Sequence, residues 1–243
     1  MLAVSNVSRT FSNGTAGFKN ISFETENAEI IGVLGTSGCG KSTLLRVLSG
    51  LDPDFSGEVK ISGDVIKSVH EKVGVIFQES RLMPWLTVIE NISFGLSNDK
   101  EKREKAEEYV KLVGLQGFEN HYPKDISGGM AQRVSIARAL ITAPEVLLLD
   151  EPFSALDAFT KMQLQDLLLT IWKTYQSTMI LVTHDIDEAL YLCDRIVILK
   201  GQPGEIYQTI TIDDTKPRSR GDVRLAQLKA EILELLNVED KGR

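Results

Sequence analysis

Cysteine is scarce in this chain of 243 residues. The two present, Cys39 and Cys193, belong to no C-x-x-C pair or Cys/His cluster, which argues against a disulfide framework or structural zinc and for reduced thiols in a cytosolic setting. Long apolar runs are also missing. The longest, around Glu29 to Leu34, Val146 to Leu149 and Met179 to Val182, are strand-sized, far below the roughly 20 residues that cross a bilayer. The N-terminal MLAVSNVSRTF lacks the basic segment and apolar stretch of a secretory signal, so export is not expected. Positive charge is in the minority, 27 Lys and Arg against 34 Asp and Glu for a net charge of −7. A protein that coats nucleic acid or anionic lipid by bulk attraction is thereby disfavoured, and any anion must be held locally. No internal repeat or low-complexity tract occurs.

What remains is ordinary globular material, 42% hydrophobic and 25% charged, enough for a sizeable core. Strands are expected at Ala3 to Val7, Ile21 to Glu24 and Ile30 to Leu34, the last apolar throughout and therefore buried. A Gly-rich break and a helix from Lys41 follow, with Gly50 and Pro53 as the stop. Short strands at Glu58 to Ser62 and Val73 to Phe77 precede a mostly helical stretch. There EKREKAEEYVKLV carries Ala106, Tyr109, Val110 and Val113 on one face, its charges forming a solvated side. Helix Ser127 to Ile141, strand Val146 to Leu149, helix Ala158 to Tyr175, strand Met179 to Val182, helix Ile186 to Cys193 and strand Arg195 to Leu199 complete the pattern. Such alternation predicts a parallel, helix-covered α/β core. Beyond Gly201 come a polar stretch ending in DDTKPRSRGD and an amphipathic helix, LAQLKAEILELL, whose leucines predict packing on the body or a partner.

The segment Gly35-Thr36-Ser37-Gly38-Cys39-Gly40-Lys41-Ser42 fits G-x-x-x-x-G-K-[ST], and it sits after a buried strand and opens a helix that continues through Thr43. Glycines let successive N–H groups curl around phosphate oxygens, and the helix start adds positive potential. Lys41 is expected to reach the β and γ phosphates and Ser42 to ligate Mg²⁺. A Gly-rich turn that merely precedes a lysine is the bland alternative, and the strand–loop–helix context weighs against it. Further on, VLLLDEP sets Asp150 and Glu151 at the end of a buried strand, the edge where ligands collect in parallel sheets. Asp150 is expected to hold the magnesium and Glu151 to orient or deprotonate an attacking water. A helix-capping acid pair is the alternative.

A second Gly-rich helix start, Ser127-Gly128-Gly129-Met130, again directs N–H groups and a helix dipole at an anion. One ATP needs only one such start, so the second is best explained by ATP sandwiched between two chains. An N-capped helix with Ser127 as cap is sound local structure, but by itself it does not explain the glycines.

With these residues in view, the chain resembles the nucleotide-binding domain of the ATP-binding-cassette (ABC) family over roughly residues 3 to 220. GTSGCGKS resembles the family's phosphate loop, Gln78 in VIFQES its glutamine loop, and ISGGM its signature. VLLLDEP resembles its acidic strand, SALD its dimer-contacting loop, and His184 in LVTHD its switch histidine, all in family order. The resemblance implies a phosphate-loop NTPase core with a mixed, mainly parallel sheet, an N-terminal antiparallel β subdomain and a helical subdomain inserted over about 80–143. Residues 1–220 would form the nucleotide-binding domain and 221–243 a helical tail. It further implies ATP and Mg²⁺ as ligands. Gln78 would touch Mg²⁺ and the attacking water, and His184 would bond the γ phosphate. Asp157 would lie at the dimer seam, Ser127 and Gly129 would reach ATP on the other chain, and Phe11 would stack on adenine, with a core phenylalanine as the alternative reading.

Met130 stands where the family signature most often has Gln. The same methionine, the PWLTV segment Pro84 to Val88 and the PR-x-R element Pro217 to Arg220 resemble the nitrate, sulfonate and taurine importer branch. The partners so implied are a second copy of the chain, transmembrane permease subunits near Leu82 to Val88 and, indirectly, a solute-binding protein. The place implied is the cytoplasmic face of the cell membrane. Cassette ATPases of DNA repair or translation carry coiled-coil insertions or tandem cassettes that do not fit this length, and nucleic acid is not an expected partner. A regulatory ATP switch without turnover would not require Glu151 and His184.

Overall fold

The computed structural model describes residues 1–96 and 99–237. Strands β1 (Leu2–Thr10), β2 (Ala16–Glu24), β4 (Ser56–Ile61) and β5 (Asp64–Val65) pair in the order β2-β1-β4-β5, antiparallel throughout. Strands β3 (Ile30–Gly35), β6 (Val73–Ile76), β7 (Val146–Asp150), β8 (Thr178–Val182), β9 (Arg195–Lys200) and β10 (Glu205–Thr211) form a second sheet. Its order is β10-β9-β3-β8-β7-β6, with every pairing parallel except β10 on β9. The helices are α1 (Lys41–Leu48), α2 (Val88–Ser93), α3 (Asp99–Leu112), α4 (Gly128–Leu140), α5 (Ala158–Tyr175), α6 (Ile186–Leu192) and α7 (Val223–Asn237).

The central strands are apolar at nearly every position because both sheet faces are covered. Their residues divide by alternation. Ile30, Leu34, Leu147, Leu149, Met179 and Leu181 join the cluster made by the helices α2 to α6. Ile31, Val33, Val146, Leu148, Ile180 and Val182 join the cluster under α1 and the antiparallel sheet. The charge-rich helix α3 buries Ala106, Tyr109 and Val110, with Val113 buried just past its end, as its periodicity requires, and Tyr109 Oη donates to the Leu140 carbonyl at 3.2 Å, seating α3 on α4.

Two features depart from the sequence-based expectation. The polar stretch after Gly201 contains an edge strand, β10. It needs only one partner, and only Ile206 and Ile210 are half-buried along it, so its apolar signal is weak. The short β5 was likewise not foreseen. The final helix packs inward, burying Leu225 and Ile232 in the helix-side cluster. No helix among the described residues is long and apolar enough to cross a membrane.

Candidate active site

Sheet order gathers the predicted residues. The phosphate loop follows β3, Gln78 follows β6, Glu151 follows β7 and His184 follows β8, and these strands are parallel, so all four segments emerge at the same edge. Because β8 lies between β3 and β7, His184 stands between the phosphate loop and the acidic pair, and Gln78 flanks the acids from the far side.

Gly38 and Gly40 of the loop have φ of +83° and +92°, and a β-carbon on Gly40 would collide with the Gly17 carbonyl. Both positions therefore require glycine. Gly40 caps α1 without a side chain, so the first-turn N–H groups of the helix remain available to an anion. Lys41 is buried; its Nζ donates to Gly35 O at 2.8 Å and Thr36 O at 3.1 Å, with Cys39 Sγ 4.0 Å away. A cleft of about 650 Å³ opens here, lined by Ser37, Gly38, Gly40 to Thr43, Glu151 and His184. Phe11 lies at its wall, half-buried, with the Arg9 guanidinium 4.7 Å over its ring. Phe11 belongs to neither of the two buried clusters.

Across the cleft, His184 Nδ1 is 3.1 Å from Glu151 Oε2, the imidazole 64% exposed and the carboxylate 24%. Glu151 adopts a left-handed φ of +45°, a conformation that costs a non-glycine residue energy and collects at functional sites. Its N–H donates to Val182 O at 2.9 Å, tying it to the strand that delivers His184. Ser42 Oγ and Asp150 Oδ1 are 3.2 Å apart. Burial pushes the Asp150 carboxyl above its ordinary pKa; the Ser42 hydrogen bond opposes this, and the Glu151 charge adds to it. A hydroxyl and a carboxylate beside a second acid are hard oxygen donors, and they suit Mg²⁺.

The remaining candidates lie elsewhere. Gln78 is exposed and lines a second cleft with Gly128 and Leu156. Ser127 caps α4, accepting from the Met130 N–H at 3.3 Å, and Gly128 is open to solvent. Gly129 has a packing role that the phosphate argument did not foresee. A β-carbon there would strike Thr160 Cγ2, so the glycine lets α4 approach the first turn of α5. Asp157 is the N-cap of α5, accepting from the Phe159 and Thr160 N–H groups at 3.1 Å each.

A family model described as ABC transporter matches residues 18–154. The chain belongs to the ABC transporter family. Among curated proteins it is 52% identical over 237 residues to the aliphatic sulfonates import ATP-binding protein SsuB of Bacillus thuringiensis subsp. konkukian, covering 96% of this chain and 94% of that one. It is 44% identical over 245 residues, 98% and 92% of the two chains, to an uncharacterised ABC transporter ATP-binding protein of Methanocaldococcus jannaschii. Among solved structures, a dimeric ATP-binding cassette in a post-hydrolysis state bound to ADP and Pi aligns with TM-score 0.77 at 32% identity, over 88% of this chain and all of that chain. The cbiO1 subunit of the cbiONQ transporter complex from Clostridium perfringens aligns with TM-score 0.79 at 26% identity, over 98% and 94%. This ABC subunit is accordingly an ATPase whose ATP hydrolysis drives transport.

In this ABC subunit, three supporting side chains escaped the sequence reading. Arg138 of α4 donates to Ser80 O at 2.8 Å and Arg81 O at 2.9 Å, and Gln132 donates to Phe77 O at 3.2 Å, so α4 holds the segment around Gln78. Lys161 of α5 bonds the loop after β8. The apolar periodicity of α4 and α5 gives no sign of these contacts, because their partners are carbonyls and carboxylates distant in sequence.

Proposed function

We propose that this subunit energises an importer of aliphatic sulfonates or related small organic solutes, two copies closing on two Mg-ATP at composite sites. The observation that carries the reading is the 3.1 Å contact between Glu151 and His184 over the cleft of the phosphate loop. Once ATP occupies that cleft, a carboxylate and an imidazole stand beside its phosphates, as hydrolysis requires. The 52% identity to a sulfonate importer subunit over 96% of the chain supports the substrate class.

Lys41 exchanges its loop carbonyls for β and γ phosphate oxygens, and the N–H groups of Gly38 to Thr43 cradle the phosphates. Ser42, Asp150 and Gln78 would hold Mg²⁺, which when bound neutralises charge on the β and γ oxygens. Glu151 orients the attacking water and accepts its proton. As an imidazolium, His184 donates from Nδ1 to Glu151 and from Nε2 to a γ phosphate oxygen. Phe11 flanks the adenine. Ser127 to Gly129 complete the site on the opposite copy, and Asp157 lies at the seam.

Residues 1–220 act as the nucleotide-binding domain with the helical insertion at about 80–143, and the tail from 221 as a helical extension, of which 238–243 lie outside the described residues. The permease subunits dock beside Gln78, at the cytoplasmic face of the membrane, and a solute-binding protein acts through them. Trp85 supports this docking: it is 69% exposed on a turn organised by buried Asn91. The Asn91 amide donates to Met83 O at 3.2 Å, Leu86 O at 3.0 Å and Thr87 O at 3.0 Å. A rigid turn presenting an aromatic side chain is what an interface anchor requires.

Light scattering on Glu151→Gln protein with and without Mg-ATP tests the sandwich. A shift from monomer to dimer only with nucleotide is expected; a monomer at saturating Mg-ATP would remove the composite-site reading.

A further inference from the structure

The loop bearing His184 is held on both sides by a polar network that the hydrolytic residues do not themselves require. Lys161 Nζ bonds Asp185 Oδ2 at 2.5 Å and Glu188 Oε1 at 2.6 Å. Thr183 Oγ1 donates to Glu188 Oε2 at 2.5 Å and accepts from the Asp185 N–H at 3.0 Å. Asp185 also caps α6, accepting from the Asp187 N–H at 2.9 Å and the Glu188 N–H at 3.2 Å. His184 is therefore the one exposed residue between two neighbours whose polar atoms are fixed. Lys161 stands one turn into α5, its N–H bonded to the carbonyl of Asp157 at 2.9 Å, so the same ammonium connects the start of α5 to the histidine loop.

The site is partly shielded, with the Glu188 side chain 3% exposed and the Lys161 side chain 24%. Burial raises the Glu188 carboxyl, which Lys161 and Thr183 only partly offset. Burial also works against the Asp185 charge, but the bonds from Lys161 and the α6 N–H groups outweigh it and hold that carboxyl below its ordinary value. Without Lys161, two carboxylates would share this site with no cation between them. A shielded pair of like charges relieves itself by protonation or movement, and what is free to move is the segment carrying His184.

We propose that Lys161 is a positioning residue for hydrolysis, fixing the His184 loop through Asp185 and Glu188 and tying it to the start of α5. The inference rests on the role given to His184 above. Lys161 touches no part of the phosphate loop, so its loss should leave ATP binding intact and slow the chemical step.

The experiment is a double-mutant cycle in single-turnover hydrolysis of radiolabelled Mg-ATP, run on full-length Lys161→Met, His184→Ala and the double variant, with nucleotide affinity measured alongside. Lys161→Met should lower the rate about 10- to 100-fold with ATP affinity changed less than about twofold, and should lower it less than about twofold further once His184 is alanine. Multiplied losses in the double variant, an unchanged rate in Lys161→Met, or a loss carried by affinity would overturn the proposal while leaving the His184 reading in place. A wild-type rate in His184→Ala would overturn both. Should Lys161→Met fail to melt cooperatively, Thr183→Val, which removes the hydroxyl and keeps the side-chain shape, runs the same cycle with the same readings.

Discussion

Gly129 and Thr160 approach so closely that a β-carbon on the glycine would collide with the threonine Cγ2 methyl. Helix propensity alone says that Gly129→Ala should stabilise α4, by about 1 kcal/mol. Overpacking against α5 says the opposite, about 1–3 kcal/mol of destabilisation. The clash is expected to win, because the methyl lies on the first turn of α5, whose N–H groups Asp157 already holds. In a Thr160→Ser background, where the methyl is gone, Gly129→Ala should become neutral or stabilising. Urea denaturation of the four proteins measures the sign directly.

Arg138 supplies the bonds that hold the Ser80 and Arg81 carbonyls. Hydrogen bonds from a charged donor contribute about 1.5–3 kcal/mol, and Arg138→Met should release the chain after Gln78. Arg81 is itself exposed, so tryptic cleavage after it should rise several-fold in the variant, as followed by mass spectrometry on the folded protein. An unchanged cleavage rate would mean that other contacts order this segment.

Arg218 is 6% exposed and donates to five carbonyls: Asp214 at 3.0 Å, Leu190 at 2.9 Å, Tyr191 at 3.4 Å, Cys193 at 2.7 Å and Ile212 at 3.2 Å. It thus caps the C-terminal end of α6 and pins the segment leading to α7. Arg218→Met should cost about 2–4 kcal/mol in chemical denaturation. Arg218→Lys should recover less than half of that, because a single ammonium does not reproduce a planar fork of donors.

The raised pKa of Asp150 carries a definite sign. In the folded chain its carboxyl binds a proton more readily than in the unfolded chain, mainly through burial and secondarily beside Glu151. The stability linked to this group is therefore fully present below the unfolded value near pH 4 and is lost as pH rises through the folded value. At neutral pH the ionised carboxylate costs stability, so Asp150→Asn should raise the melting temperature while Mg-dependent hydrolysis falls to background. The melting gain should shrink toward pH 4, which scanning calorimetry across pH would follow.

Much of this was legible in the chain. The phosphate loop was readable because its geometry is local: Gly38 and Gly40 need positive φ, and the apolar Ile30 to Leu34 run before them can only be a buried strand. The face of α3 was readable from the spacing of Ala106, Tyr109, Val110 and Val113. Strand β10 was not, since an edge strand with two half-buried isoleucines leaves a weak pattern among polar residues. Gly129 was read as an anion contact alone, because its packing reason, Thr160, belongs to another helix.

By itself the sequence determined the conformations set by near neighbours: the loop that curls around phosphate, the Ser127 helix cap, and which strands are buried on both faces. Only the tertiary structure decided that β8 lies between β3 and β7, and hence that His184 meets Glu151. It also decided that Lys161 reaches Asp185 and Glu188, and that Arg218 finds its carbonyls. Backbone angles and amphipathic faces depend on residues a few positions apart. A hydrogen bond depends on tenths of an ångström between elements that the chain keeps far apart until they pack.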